Sequence, residues 1–240
     1  MIPAPGATRL IFSCEHGGHA VPPAYAPLFA GQAPLLHSHR GWDPGALPLA
    51  RQMAQAFDAP LFASTTTRLL IDLNRSVGHR QLYSEFTRGL SPAQRQEIVR
   101  RYYRPHRDAV EGAVALSITT GQPVIHVASH SFTPVMDGVV RRADVGWLYD
   151  PARPREAALA RRWMAALQAL APALQLRRNY PYQGKGDGLA TALRKRWDGQ
   201  AYVGIELEVN QRFVAAGGAP WHRLRAALVA SLTSALAAPG

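Results

Sequence analysis

Apolar residues in this 240-residue chain alternate between two spacings: short runs rich in β-branched and aromatic side chains, and longer runs at helical intervals. The short runs predict strands over 8–14, 60–64, 69–73, 123–129, 145–149, 174–178 and 202–209. The longer ones predict helices over about 44–57, 91–118, 154–171, 187–197 and 220–237. Asp43-Pro44 and Ser91-Pro92 each set a capping side chain before a proline suited to a first helical turn. Pro105 should kink or divide the 91–118 segment. Strands separated by helices predict an α/β fold: a mostly parallel mixed sheet with helices on both faces, as one domain over 1–240. The stretch 179–188, rich in glycine and aromatics, reads as an ordered loop forming a lid or a wall over a site.

Polar clusters stand at the carboxyl ends of three predicted strands, where open α/β sheets bind ligands. They are Glu15-His16-Gly17-Gly18, Ser129-His130-Ser131, and the pair Glu206 and Glu208. His16 is either a metal ligand, with two glycines letting the chain turn close to it, or a loop histidine bonded to backbone. Asp43 is either a helix cap or a carboxylate facing a pocket, and His39 is a candidate partner for it. His130 follows a strand and is flanked by Ser129 and Ser131, which can orient it; His126 reads as a packed core histidine. Asn74 and Arg75 end the 69–73 run and Arg68 precedes it; the arginine forks suit a carboxylate, or Arg75 pairs with Asp72. Glu206 and Glu208 share a strand face by the two-residue period. Two acids in so apolar a strand need a metal, a partner charge or solvent.

Composition narrows the classes. With 47% hydrophobic and 18% charged residues the chain can bury one sizeable core. No apolar run is long enough to span a bilayer, and Met1-Ile2-Pro3-Ala4-Pro5-Gly6 lacks the pattern of a signal peptide. The single Cys14 excludes an internal disulfide framework, fits a reducing cytoplasm and reads as a buried thiol. The net charge of +11 is carried by dispersed arginines without a basic tail or nucleic-acid motif, which argues against nucleic acid. Neither phosphate-loop spacing nor a Gly-x-Ser-x-Gly elbow occurs.

Taken in order, Cys14-Glu15-His16-Gly17-Gly18, Trp42-Asp43-Pro44-Gly45-Ala46, Arg68 through Arg75, His130-Ser131-Phe132-Thr133-Pro134 and Ile205 through Gln211 resemble the N-formylglutamate amidohydrolase family. That family is similar in fold to the zinc carboxypeptidases. The resemblance implies one zinc ion held by His16, His130 and a carboxylate, either Asp43 or its rival Glu15. It implies Arg75, Asn74 and Arg68 as contacts for a substrate carboxylate, and Glu208 or Glu206 as the general base. Ser131 and His39 would support the ligands. The expected substrate is a small anionic N-acyl amino acid such as N-formylglutamate, and the family name points to histidine degradation. Alternatives are hydrolysis of another small amide by a related metallopeptidase, or a non-catalytic basic binding protein on the same fold. Oligomeric state stays open.

Overall fold

The computed structural model describes residues 7–238. The Met1–Gly6 stretch read above for targeting lies outside them. Six strands form one sheet in the order β2-β1-β3-β8-β6-β7. These are β1 (Arg9–Cys14), β2 (Leu61–Ala63), β3 (Val124–Phe132), β6 (Val145–Leu148), β7 (Leu176–Arg178) and β8 (Tyr202–Asn210). All neighbours run parallel except β6 and β8, so the sheet is mixed and mostly parallel as expected. The helices are α1 (Ala33–Leu36), α2 (Ala46–Ala56), α3 (Pro92–Ile98), α4 (Arg104–Thr119), α5 (Pro154–Leu170), α6 (Leu189–Arg196), α7 (Arg212–Ala216) and α8 (Gly218–Ala237).

Strand alternation divides the core between two faces. Phe12, Val127, Val203, Ile205 and Val209 pack with residues of α2, α5 and α8. Ile11, Val124 and Tyr202 pack with Val110 and Val114 of α4 and Leu189 and Leu193 of α6. The central strands β1, β3 and β8 are buried on both sides, which explains their near-continuous apolar runs.

Two expectations are corrected, and one element is new. The run 69–73 is not a strand: it forms turns whose Leu69, Leu70, Ile71 and Leu73 fill a side cluster with Phe29, Leu82, Ile98 and Tyr103. Burial without alternation marked a buried segment correctly but could not say that no strand pairs with it. Asp43 does not cap α2; Gly45, at φ +83, stands at that cap and no side chain bonds there. The hairpin β4 (Val135–Met136) and β5 (Val139–Val140) had no counterpart in the sequence reading.

The division expected at Pro105 occurs as a π-helical turn, Val99–Tyr103, with Pro105 in the first turn of α4. Ser91 caps α3 as expected, in a reciprocal capping box with Gln94. No helix among the described residues is long and apolar enough to cross a membrane.

Candidate metal centre

His16, Asp43 and His130 come together at the carboxyl ends of β1 and β3. One donor atom from each lies within 4.8 Å of the others, and all three residues are buried. His16 leaves β1 at a bend where Gly18 presses on the backbone of Thr65, with 2.7 Å from its would-be Cβ to the Thr65 carbonyl. A side chain there would push the bend outward. His130 sits within β3, in register with Glu208 of β8, so their side chains share one face. Asp43 is delivered by the turn before α2, tied to the first bend by its backbone N–H donating to the His16 carbonyl at 2.9 Å. Ser131 braces the same turn: its hydroxyl donates to the Pro44 carbonyl at 2.7 Å and accepts from Gln211.

A carboxylate stands behind each ring, hydrogen-bonded to His16 and ion-paired with His130. His16 Nε2 lies 2.7 Å from Asp72 Oδ1, and His130 Nε2 lies 3.1 Å from Glu15 Oε2. An ionised carboxylate only accepts, so each Nε2 carries a hydrogen; each Nδ1 also faces a carboxylate oxygen, and either donates to it from a protonated ring or, with a cation present, turns a lone pair inward. Both Nδ1 atoms face Asp43 Oδ2, at 3.4 Å from His16 and 2.9 Å from His130. The ring centroids are 5.2 Å apart. The buried Asp43 oxygen is balanced either by protons on the two rings or by a cation among the three atoms. Two imidazole nitrogens with one carboxylate oxygen form a donor set suited to a divalent ion such as zinc, with room for water or substrate.

The electrostatics point the same way. Burial opposes charging of His130, yet Asp43 and Glu15 hold its imidazole well above the ordinary range. Burial would also raise Asp43, but His16, His130 and Arg68 keep its carboxyl well below the usual value. Asp72 is held low against its burial by Arg68 and His16. The centre therefore favours positive charge at the inward nitrogens.

Glu208 stands beside this cluster. Burial first, then Asp43 and Glu206, push its carboxyl up to about 8, against the pull of His130 and Arg68. Its Oε2 is buried and has no hydrogen-bond partner among the described residues. Glu206 differs: its Oε2 accepts from the Asn74 amide at 3.3 Å. The carbonyl oxygen of that amide accepts from the Leu189 N–H at the start of α6.

Of the other predicted residues, Arg75 lies at the rim, donating from Nη1 to the carbonyls of Asn74 and Asp187 at 2.8 and 3.0 Å. Its backbone N–H donates to the Asp72 carbonyl at 3.2 Å, but no bond from its guanidinium to the Asp72 carboxylate is seen among the described residues. Arg68 instead takes Asp72, at 2.6 Å, and reaches Asp43 at 3.4 Å. Glu15 lies behind His130, outside the three-donor cluster. His39 is exposed and makes no hydrogen bond to Asp43. His126 is buried and bonded to Ser13 and Tyr202, the packed histidine that was expected. Cys14 is fully buried, and burial pushes its thiol well up, so it is no ready nucleophile.

Sequence reading missed Asp72 as the partner of His16, His106 as the partner of Glu15, and Asp187 as the clamp on the Ser76 N–H and hydroxyl. Asp72 was read only as an ion-pair partner for Arg75, inside what looked like a strand.

Known proteins agree with this architecture. A family model described as N-formylglutamate amidohydrolase matches residues 8–215. A crystal structure of a gene product from Agrobacterium tumefaciens is similar at 28% identity and a TM-score of 0.81, covering 96% of this chain and 91% of that one. An N-formylglutamate amidohydrolase from Ralstonia eutropha JMP134 shares the fold at 20% identity and a TM-score of 0.70, over 98% of this chain and 95% of that one. No curated protein matches.

Proposed function

This chain belongs to the N-formylglutamate amidohydrolase family, and on that premise we propose that it is a zinc-dependent enzyme cleaving an N-formyl, or other small N-acyl, acidic amino acid such as N-formylglutamate. The products are formate, or the corresponding acid, and the free amino acid. We assign the whole chain, 1–240, to one such domain. The observation that carries the reading is the convergence of His16 Nδ1, Asp43 Oδ2 and His130 Nδ1 beside a buried carboxylate, Glu208, whose Oε2 has no hydrogen-bond partner among the described residues.

His16, Asp43 and His130 would hold one zinc ion. When bound, it would polarise the scissile carbonyl and lower the pKa of water toward about 7. The chain's own groups supply the rest. Glu208 Oε2 takes the proton of the attacking water and returns it to the leaving nitrogen, a role that its high proton affinity suits. A positive ion in the cluster favours the ionised form of Glu208 and brings its pKa down from the metal-free value. Arg75, fixed at the rim by two carbonyls, offers the rest of its guanidinium fork to the substrate carboxylate and orients the amide.

Two expected roles change. Arg68 is engaged by Asp43 and Asp72, so we assign it to balancing those buried carboxylates rather than to substrate. Glu206 steadies Asn74, which leaves Glu208 as the base. Asp43 takes the place of carboxylate ligand, and Glu15 supports His130 from behind.

The test is formate release from a panel of N-formyl amino acids, with N-acetyl and N-succinyl analogues, before and after chelation. Hydrolysis of acidic N-formyl substrates, lost in chelator and restored by Zn2+, is expected. Full activity in chelator would contradict the reading.

A further inference from the structure

Glu15 is fully buried, and its two oxygens have one neighbour each. Oε2 faces His130 Nε2 at 3.1 Å, and Oε1 lies 3.1 Å from His106 Nε2. Glu15 Oε2 and His130 Nε2 meet as an ion-pair contact, and neither atom has a hydrogen-bond partner among the described residues. A chain of three side chains thus runs from the inner face of α4, through the turn after β1, to a ring of the proposed metal centre.

The helix is built to place His106 there. Ile98 of α3 is buried, and an uninterrupted α-helix would next turn residue 102 inward. The π turn adds a residue, so Tyr103 faces inward instead, followed by His106, Arg107, Val110 and Val114. The three polar members of this face all grip the site's backing. Tyr103 donates to the Arg75 carbonyl at 2.8 Å, Arg107 to the Leu73 carbonyl at 3.3 Å, and His106 meets Glu15. A purely structural helix face would be served by apolar residues here, as it is one turn later.

We propose that His106 is a positioning residue for the reaction: through Glu15 it holds the His130 imidazole in the tautomer and orientation that present Nδ1 to the metal ion. The inference rests on the metal reading above and extends it to the far side of the ring. With His106 donating to Oε1, Glu15 is fixed as an acceptor for the His130 Nε2 hydrogen. Without that donor a fully buried carboxylate is left with one partner and is free to rotate, which loosens its hold on the ring. His106 also borders a surface cavity of ≈ 490 Å³ between the β2 edge and α4, so a different side chain can be accommodated without overpacking.

The experiment measures equilibrium Zn2+ affinity by chelator competition, alongside kcat and KM, on the full chain. The variants are His106→Leu, His106→Gln, Glu15→Gln and the double variant Glu15→Gln/His106→Leu. In the double variant no buried charge is stranded, so it stays folded if His106→Leu alone does not. His106→Leu should weaken Zn2+ binding about 10- to 100-fold, the usual effect of removing a group behind a metal ligand. His106→Gln, whose amide still donates to Glu15, should recover most of that loss. On the Glu15→Gln background, adding His106→Leu should change affinity by less than about twofold, because the path is already cut. The inference is overturned if His106→Leu binds Zn2+ as tightly as the unaltered protein, or if its loss persists in full on the Glu15→Gln background. Should the unaltered protein bind no Zn2+ at all, the metal reading itself falls, a result distinct from either of these.

Discussion

Two glutamates on one face of β8 divide their work by what surrounds them. Glu206 is tied to Asn74, whereas Glu208 keeps a buried oxygen without a partner next to the three-donor cluster. Glu208→Gln removes the proton acceptor and should lower kcat by about 10²- to 10⁴-fold while bound metal stays stoichiometric. Glu206→Gln should be far milder, since an amide can still accept from Asn74. Equal losses in single-turnover assays would refute that division. His126 gives a separate pH prediction. Burial, the main cause, pushes its imidazole down to about 4 despite the opposing pull of Glu15. The folded protein therefore binds fewer protons than the unfolded chain between about 4 and the ordinary 6.5. The stability held above pH 6.5 is lost as pH falls through this window. In denaturant titrations of metal-free protein, His126→Gln should flatten that acid limb, and an unchanged limb would show the histidine is not the cause.

At the scale of elements, the 179–188 loop acts as a wall and not as a lid. Asn179 Oδ1 accepts from the N–H groups of Tyr149 and Gly184, and Asp187 binds both the N–H and the hydroxyl of Ser76. Gly146 of β6 admits the Tyr180 carbonyl, which a Cβ there would meet at 1.9 Å. The wall thereby fixes Arg75, whose Nη1 is bonded to the Asp187 carbonyl. Asp187→Ala gives up two hydrogen bonds at about 1 kcal/mol each, so KM for an acidic substrate should rise by as much as roughly 30-fold. Steady-state kinetics should show kcat and metal content little altered; a fall in kcat with KM constant would place the loop elsewhere in the mechanism. The sequence made this loop legible as ordered and site-facing through its glycines and aromatics. It could not distinguish wall from lid, because that depends on partners 30 and more positions away, such as Tyr149 and Ser76.

Over the whole molecule, the parts that were legible are those with strong local periods. β1, β3, β8 and the long helices α5 and α8 have apolar runs whose length and spacing suit only one element type. These strands deliver His16, His130 and the two glutamates, so most of the candidate site followed from the sequence. What escaped depends on long-range geometry. Leu69–Leu73 is as apolar as a strand but has no strand beside it, and Asp72 was hidden within it. The π turn shifts the phase of α4 by one residue and brings His106 from the edge of the inward face, where a regular period would leave it, toward its centre. Asp43 carried the local signature of a helix cap, and the pull of two imidazoles and Arg68 places it elsewhere. In each case a contact distant in sequence overrode a correct local preference.

The most direct test of the account is the Zn2+ stoichiometry of the purified protein beside that of His130→Ala, measured by equilibrium dialysis with elemental analysis. One tightly bound ion per chain, lost in the variant, is the predicted result. No bound ion in the unaltered protein, or undiminished binding without the His130 imidazole, would contradict it.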